Sequence, residues 1–469
     1  MKKNSRLIAL LLALLTVILP ACSAGTGHDV TTEADTTATE TTEAVTTVIT
    51  TEEPSISVVV TPETTPEPPP ETIPETTEEE TTSPYPPHDG ETVRILMQNG
   101  KSEAFTSEFA EGELASYLSA REAALLADHN TVIIMSSCAD IVDRVKNGVL
   151  AASNDFDFML LNVDAGAELL TYGALEALSE AGIGITPKTA GVRESLTESM
   201  TVGASVYLIA CDALISDLSS FSVIEYNGAK LSSDPVKKAV DGEFTAEALL
   251  NYVTELKTDS LSVDQDSILA LFCAVGGEVF VKNGNGLPLS ALSDDKDFSK
   301  KYENALGLLK NHSQTNSKTV FTVTKISPAR AGVTLLPLPK ENSGSEYVTL
   351  ADAGSLTLLA APIGVVDGLR LAKLFNCLCV ASGDVRFAER AKFIDKNNQY
   401  GEPVLSILES SAKLDLGILL GWGDIDDYIA DSLASGKTAG DMLGDRVVPL
   451  RNKAIETAAG ILAERLNIK

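Results

Sequence analysis

The stretch TVRILMQNG, residues 92–100, decides the fold class of this chain. Its apolar residues alternate with other side chains until Asn99-Gly100 interrupts the run, which predicts a strand ending there. TVIIMSS (131–137) and FDFMLLN (156–162) are two further predicted strands, and each pair of strands is separated by a sequence with helical spacing. The order strand, helix, strand, helix, strand predicts an α/β fold with a mostly parallel sheet covered by helices.

Polar residues follow the ends of these three predicted strands. In open α/β sheets, ligands bind beyond the carboxyl ends of the strands. All the residues there are neutral and can form hydrogen bonds, so they suit an uncharged polar ligand. They are Gln98, Asn99, Ser136, Ser137 and Asn162. The alternative is that each of them is an ordinary turn-forming residue.

The second half of the chain contains further predicted elements. SVYLIACD (205–212) and SLTLLAAP (355–362) read as strands, and Thr245 as the N-cap of a helix. GEVFVKNGNGLPLS (277–290) predicts a hairpin with Asn-Gly turns. The proline-broken segment 332–350 suits a crossover between lobes better than a central strand. A helix is predicted after residue 362, and mostly helical structure follows from residue 402 onward.

The N-terminus reads as an export signal. Three basic residues precede an apolar core, Leu7–Leu19, which is too short to span a membrane. The next residues complete the motif Leu-Pro-Ala-Cys, which resembles the bacterial lipobox. This resemblance implies a lipoprotein signal peptide over 1–21 and a diacylglycerol on the sulfur of Cys22. The alternative is an ordinary signal with an incidental cysteine.

Residues 22–89 have the composition of a disordered tether. Thr, Glu and Pro dominate, and the segment between Asp29 and Asp89 contains no Lys or Arg. Such a segment cannot bury enough apolar surface to offset the entropy of ordering. We therefore expect it to hold a folded domain, 90–469, away from the membrane surface.

Composition excludes several classes of function. The 469-residue chain has a formal net charge of −30, which disfavours nucleic acid as a partner. Apart from Cys22, the cysteines are an odd number of scattered residues in apolar surroundings, so buried free thiols are expected rather than a disulfide framework. They are Cys138, Cys211, Cys273, Cys377 and Cys379. A metal or redox role for the Cys377-x-Cys379 pair is the lesser alternative.

No catalytic motif is present in the sequence. His129 and His312 lack a metal-binding spacing, and the chain has no nucleophile elbow, phosphate-binding loop or dinucleotide-binding glycine pattern. We therefore predict no catalytic residue, no metal and no cofactor.

Three segments resemble the extracellular solute-binding proteins of ABC importers, in their large sugar-associated family. DPVKKAVDGEFTAEAL (234–249) has Val, Gly, Phe and Thr at the positions of a segment that many members carry. Residues 112–137 resemble their first helix and second strand, and 332–340 followed by 355–362 resemble their return crossover and final strand. The resemblance implies a two-lobed, periplasmic-binding-protein-like (type 2) fold with a hinge. Lobe 1 would be roughly 90–205 plus about 345–400, and lobe 2 the remainder.

The resemblance also suggests where an aromatic side chain stacks on a sugar. Members that bind sugars usually place several tryptophans at the cleft, and this chain has one, Trp422, in a glycine-flanked loop. Trp422 is therefore the first candidate for stacking, and a hydrophobic plug between helices is the alternative. Tyr207 is a weaker candidate.

These expectations combine into one functional prediction. The chain would be a monomeric lipoprotein on the outer face of the cytoplasmic membrane. It would capture an uncharged polar ligand, such as an oligosaccharide, for an ABC permease. The alternative is a degenerate surface lipoprotein that keeps the same fold as a scaffold or adhesive module.

Overall fold

The computed structural model describes residues 90–99, 104–153, 155–180, 182–256, 260–292, 296–310, 319–396 and 398–468. The chain divides into two units, Met1–Glu80 and Thr81–Lys469, and all described residues belong to the second unit. The predicted signal peptide, Cys22 and the predicted tether lie outside the described residues.

A first sheet forms from the strands predicted at the start of the fold. Its order is β11-β3-β1-β2, with β2 and β3 parallel to β1, and β11 antiparallel to β3. The sheet is therefore mostly parallel, as predicted. Its strands are β1 (Glu91–Gln98), β2 (Thr131–Cys138), β3 (Phe158–Asn162) and β11 (Thr357–Ala360).

A second sheet of mixed direction follows. Its order is β5-β8-β4-β9, in which β4 is antiparallel to β8 and β9, and β5 is parallel to β8. Its strands are β4 (Ser222–Tyr226), β5 (Leu261–Val263), β8 (Phe321–Lys325) and β9 (Thr334–Leu336). The proline-broken segment thus supplies the edge strand β9, which ends directly before Pro337.

Two short pairs of strands complete the β structure of the described residues. The predicted hairpin is confirmed as an antiparallel pair, and a parallel pair joins the segment before β11 to the C-terminal part. The pairs are β6 (Phe280–Lys282) with β7 (Pro288–Ser290), and β10 (Thr349–Leu350) with β12 (Ala412–Lys413).

Helices surround both sheets and fill the C-terminal part. In chain order they are α1 (Gly112–His129), α2 (Ile141–Leu150), α3 (Val163–Tyr172), α4 (Glu194–Ser199), α5 (Ser216–Ser219), α6 (Pro235–Val240), α7 (Ala246–Leu256), α8 (Ile268–Ala274), α9 (Lys296–Leu309), α10 (Gly368–Ala381), α11 (Gly383–Ala391), α12 (Gly401–Ser410), α13 (Leu416–Leu419), α14 (Ile425–Ala434), α15 (Ala439–Leu443) and α16 (Val447–Arg465). The predicted cap is confirmed, because the Thr245 hydroxyl accepts a hydrogen bond from the Ala248 amide at 3.2 Å. No helix of the described residues has the length and apolar character needed to cross a bilayer.

The prediction of a strand at 205–212 is wrong. The segment makes only isolated bridges, which join Ser205 to Val202, Ile209 to Leu359 and Cys211 to Val192. It runs between two apolar clusters: Val206, Ile209 and Cys211 belong to the smaller, and Tyr207, Leu208 and Ala210 to the larger. Its continuous apolar run reflects burial on both sides, which a segment can have without a hydrogen-bonded ladder.

Candidate functional site

The predicted polar residues do meet at one edge of the first sheet. The parallel register pairs Gln98 with Cys138 and Met97 with Ser137, so the ends of β1 and β2 are level. Asn162 ends β3, which lies on the other side of β1. We call this edge the strand-end rim: Gln98, Asn99, Ser136, Ser137 and Asn162.

The side chains of the strand-end rim differ in whether they are exposed or already form hydrogen bonds within the protein. Ser136, Ser137 and Asn99 are exposed. The Gln98 side-chain amide donates to the Ala139 carbonyl at 3.3 Å. The Asn162 side-chain oxygen accepts from the Ala165 amide at 2.9 Å and so caps α3. The turn-forming alternative therefore describes Asn162, and the exposed hydroxyls remain candidates for ligand contact.

The two aromatic candidates are buried. Trp422 is 9% exposed, and Tyr207 is 8% exposed; both belong to the larger apolar cluster. Trp422 begins a single 3₁₀ turn between two glycines with positive φ, Gly421 and Gly423. Burial raises the pKa of the Tyr207 hydroxyl. For Trp422 this burial favours the alternative of a plug between helices, and stacking on a ligand stays a prediction.

A cavity lies beside the second sheet, at a place that the sequence did not indicate. It is a shallow pocket open to solvent, and the empty space of about 380 Å³ at this place includes that solvent. Strand β4, the loop between β8 and β9, and the connection between α11 and α12 line it. Its polar and aromatic lining includes Glu225, Ser327, Arg330, Phe393, Asp395 and Asn398.

The position of this cavity follows from the helices that flank it. Helix α11 packs on α1, which covers the first sheet, whereas α12 contacts α6 and the edge strand β9 of the second sheet. The α11–α12 connection therefore links the layer over the first sheet to the layer beside the second. The cavity lies at this connection.

The cavity contains one ion pair. The Glu225 side chain is 7% exposed, and its carboxylate accepts hydrogen bonds from the Ser327 hydroxyl at 2.7 Å and from the Arg330 guanidinium. The Asn398 amide nitrogen of the main chain donates to the Asp395 carbonyl at 2.9 Å. The lining therefore offers carboxylate, amide, hydroxyl and guanidinium groups, which can donate and accept hydrogen bonds with an uncharged polar ligand.

A second group of charges has a buried centre, and we call it the buried charge cluster: Asp217, Arg386 and Glu409, with the partly buried Arg193 at its edge. Arg386 contacts both oxygens of Asp217, one of them at 2.7 Å, and Glu409 at 2.6 Å. Burial alone would lower the pKa of Arg386, but the two carboxylates outweigh burial and raise it. For Arg193, burial and then the charge of Arg386 lower the pKa. The cluster ties α5, α11 and α12 together.

Sequence reasoning missed both of these sites. Glu225 follows Val223 and Ile224 in a buried strand, and Arg330, Asp395 and Asn398 lie in loops of ordinary composition. The one available signal was a charged residue, Glu225, in an otherwise apolar strand, since a buried charge requires a partner. Among the described residues, no group of three or more His, Cys, Asp or Glu side chains is arranged to hold a metal ion.

Comparison with known proteins gives alignments to solved structures alone. No protein-family model matches the chain, and no curated protein matches it either. One aligned structure is the GacH receptor of Streptomyces glaucescens GLA.O, described unliganded and in complex with acarbose and an acarbose homolog. Its identity is 12% and its TM-score 0.46, with 79% of this chain and 99% of that chain covered.

Another is a cyclo/maltodextrin-binding protein complexed with maltotetraose. Its identity is 12% and its TM-score 0.47, with 80% of this chain and 97% of that chain covered. At such identities and TM-scores these alignments carry no information on the ligand of this chain, whose α/β fold class follows from its own sheet order.

Proposed function

We propose that the chain is an extracellular solute-binding protein that captures an uncharged polar ligand, a carbohydrate, for an ABC importer. The observation that carries this proposal is the polar cavity, with its Glu225–Arg330 ion pair, at the connection between two α/β layers. The lobes would close on the ligand by hinge motion. The proposal assigns the chain no catalytic step.

The donors and acceptors of the cavity support a carbohydrate as the ligand. Each sugar hydroxyl both donates and accepts hydrogen bonds, so it suits a lining that mixes carboxylates with guanidinium and amide groups. Phe393 contributes an apolar wall, against which the CH groups of a sugar ring could pack. Glu225 and Arg330, already paired, would bind hydroxyls without leaving an unpaired buried charge.

We also propose that Cys22 carries a lipid anchor and that the anchored protein works at the outer face of the cytoplasmic membrane. Two acyl chains, at about 0.8 kcal/mol per buried CH₂, hold a protein stably on a bilayer. Mass spectrometry of the N-terminal peptide from the native host would test this. A diacylated Cys22 supports the anchor, and an unmodified Cys22 in the membrane fraction contradicts it.

Titration calorimetry of the mature chain against a panel of mono- and oligosaccharides tests ligand capture. Once a ligand is found, Asn398→Ala should weaken binding about tenfold, because one lost hydrogen bond costs about 1 kcal/mol or slightly more. The double variant Ser136→Ala with Ser137→Ala tests the strand-end rim in the same way. If only the rim variant loses affinity for the ligand, the ligand binds at the strand-end rim and not in the cavity.

Small-angle scattering with and without the ligand tests the closing motion. A smaller radius of gyration with ligand supports capture between lobes. Absence of heat across the whole sugar panel, with an unchanged scattering profile, would instead support the alternative of a scaffold or adhesive module.

A further inference from the structure

Two cysteines far apart in sequence meet in the smaller apolar cluster. Cys211 is 1% exposed and Cys379 is 5% exposed. The Cys379 thiol donates to the Gly191 carbonyl oxygen at 3.9 Å, and Cys211 forms a backbone bridge with the next residue, Val192. The guanidinium of Arg193 lies close enough to interact electrostatically with both thiols. Both cysteines are free in the structure.

A glycine makes this approach possible. Gly191 has a φ of +82°, and a Cβ placed on it would lie 2.5 Å from the Cys379 Cβ. The next residue, Val192, pairs with Cys211, and the Asp212 amide donates to the Gly191 carbonyl at 2.7 Å. The absence of a side chain at residue 191 therefore lets the backbone beside Cys211 pack directly on the turn of α10 that carries Cys379.

We propose that Cys211 and Cys379 form a redox site that closes to a disulfide when the protein meets a peroxide. The Cys211 thiolate attacks one oxygen of hydrogen peroxide, which gives a sulfenic acid and releases hydroxide; the hydroxide takes up the proton that the thiol lost. The Cys379 sulfur then attacks the sulfenic sulfur, and water leaves with the proton of Cys379. Two thiols and one peroxide become one disulfide and two waters.

The surroundings explain the order of these steps and the choice of oxidant. The hydrogen bond with Cys211, and then burial, raise the pKa of the Cys379 thiol, so Cys379 stays protonated and reacts second. A molecule as small as hydrogen peroxide can reach sites that exclude larger disulfide reagents. The closed disulfide would fasten the segment around Gly191–Asp212 to α10 and restrict the unfolded chain.

A tryptic map of the peroxide-treated mature protein tests the proposal and does not depend on the proposed function. Cys211 lies in the peptide 194–230, and Cys377 and Cys379 share the peptide 374–386. We expect these two peptides linked, at a mass lower by two hydrogen atoms, and separated again by a thiol reductant. Recovery of both peptides unlinked after treatment, with only higher oxidation of the cysteines, would overturn the proposal.

Two variants identify the partner within the shared peptide. Cys377→Ala is the matched control, because Cys377 lies on the same helix and in the same apolar cluster at the same 5% exposure. Linkage should persist in Cys377→Ala and disappear in Cys379→Ala, and the urea midpoint of unfolding should rise on oxidation in the first variant alone. The reverse pattern would assign the disulfide to Cys377 and contradict the proposal.

Discussion

Arg386 and Asp217 form an ion pair with side chains only 5% and 4% exposed. Removing one partner of such a pair leaves an uncompensated buried charge. We therefore expect Asp217→Ala to lower the free energy of unfolding by about 3–5 kcal/mol. Urea unfolding followed by circular dichroism measures the change. Lys453→Ala is the control, because its ion pair with Glu456 is largely exposed and should contribute almost nothing. Equal effects of the two substitutions would contradict this account.

Asp415 gives a pH dependence of stability with a defined sign. Burial raises its pKa to about 6, although hydrogen bonds from the Gly417 and Ile418 backbone and the charge of Lys282 oppose the shift. The folded state therefore binds a proton at Asp415 more tightly than the unfolded state does, because the pKa of an aspartate in the unfolded chain is about 3.9. As pH rises from about 4 to about 6 the folded state loses up to about 3 kcal/mol of stability relative to the unfolded state.

The isosteric variant Asp415→Asn isolates this effect, because an Asn side chain still caps α13 and does not titrate. Its urea midpoint should exceed that of the wild type at pH 7, and the two should converge near pH 4. A constant difference across this range would show that Asp415 has an ordinary pKa.

For single residues, the sequence predicted which side chains would be polar and hydrogen-bonding better than it predicted which residues they would contact. Neutral hydrogen-bonding residues at the strand ends follow directly from the pattern of strands and turns, and they do gather at one edge. Arg386 and Asp217 are 169 positions apart, so no local pattern relates them. Their pairing depends on how α5 and α11 pack, which only the tertiary structure shows.

Among the elements, the β6–β7 hairpin approaches the loop after α4 so closely that one position must be glycine. Gly286 has a φ of +72°, and a Cβ there would lie 2.6 Å from the Gly203 Cα. We expect Gly286→Ala to cost about 1–3 kcal/mol and to speed hydrogen exchange in the hairpin. Gly284→Ala is the matched control in the same turn, because a Cβ there meets nothing within 4 Å. Similar exchange rates in both variants would contradict the close packing.

Elements were predictable where hydrogen bonding and burial follow the same pattern. Strands β1, β2 and β3, the hairpin and the Thr245 cap all follow from local residue order. Residues 205–212 are also strongly apolar and form no strand, because their side chains are buried in two different clusters while the backbone makes only single bridges, one of them to Leu359 of β11. The hydrophobic pattern cannot separate these two cases, since it records only which side chains are buried.

For the whole molecule, the larger apolar cluster decides how the described part of the chain unfolds. It contains Leu96 and Met159 of the first sheet together with Val223 and Val323 of the second. The buried charge cluster also joins α11, which packs on the first-sheet layer, to α12, which packs on the second. Neither sheet can therefore lose its packing without exposing apolar surface of the other. The sequence predicted two lobes and could not show this shared core, because contacts between distant segments leave no local pattern.

A shared core predicts cooperative unfolding. Scanning calorimetry of the mature protein should show one transition, with equal calorimetric and van't Hoff enthalpies. Asp217→Ala should move that whole transition to lower temperature without splitting it, since the buried charge cluster belongs to both layers. A saturating sugar ligand should move the single transition to higher temperature, because a ligand that binds only the folded state stabilises the whole cooperative unit that contains its site. Two resolved peaks, only one of them shifted by ligand or by Asp217→Ala, would mean that the lobes are stabilised independently and that the shared cluster does not couple them.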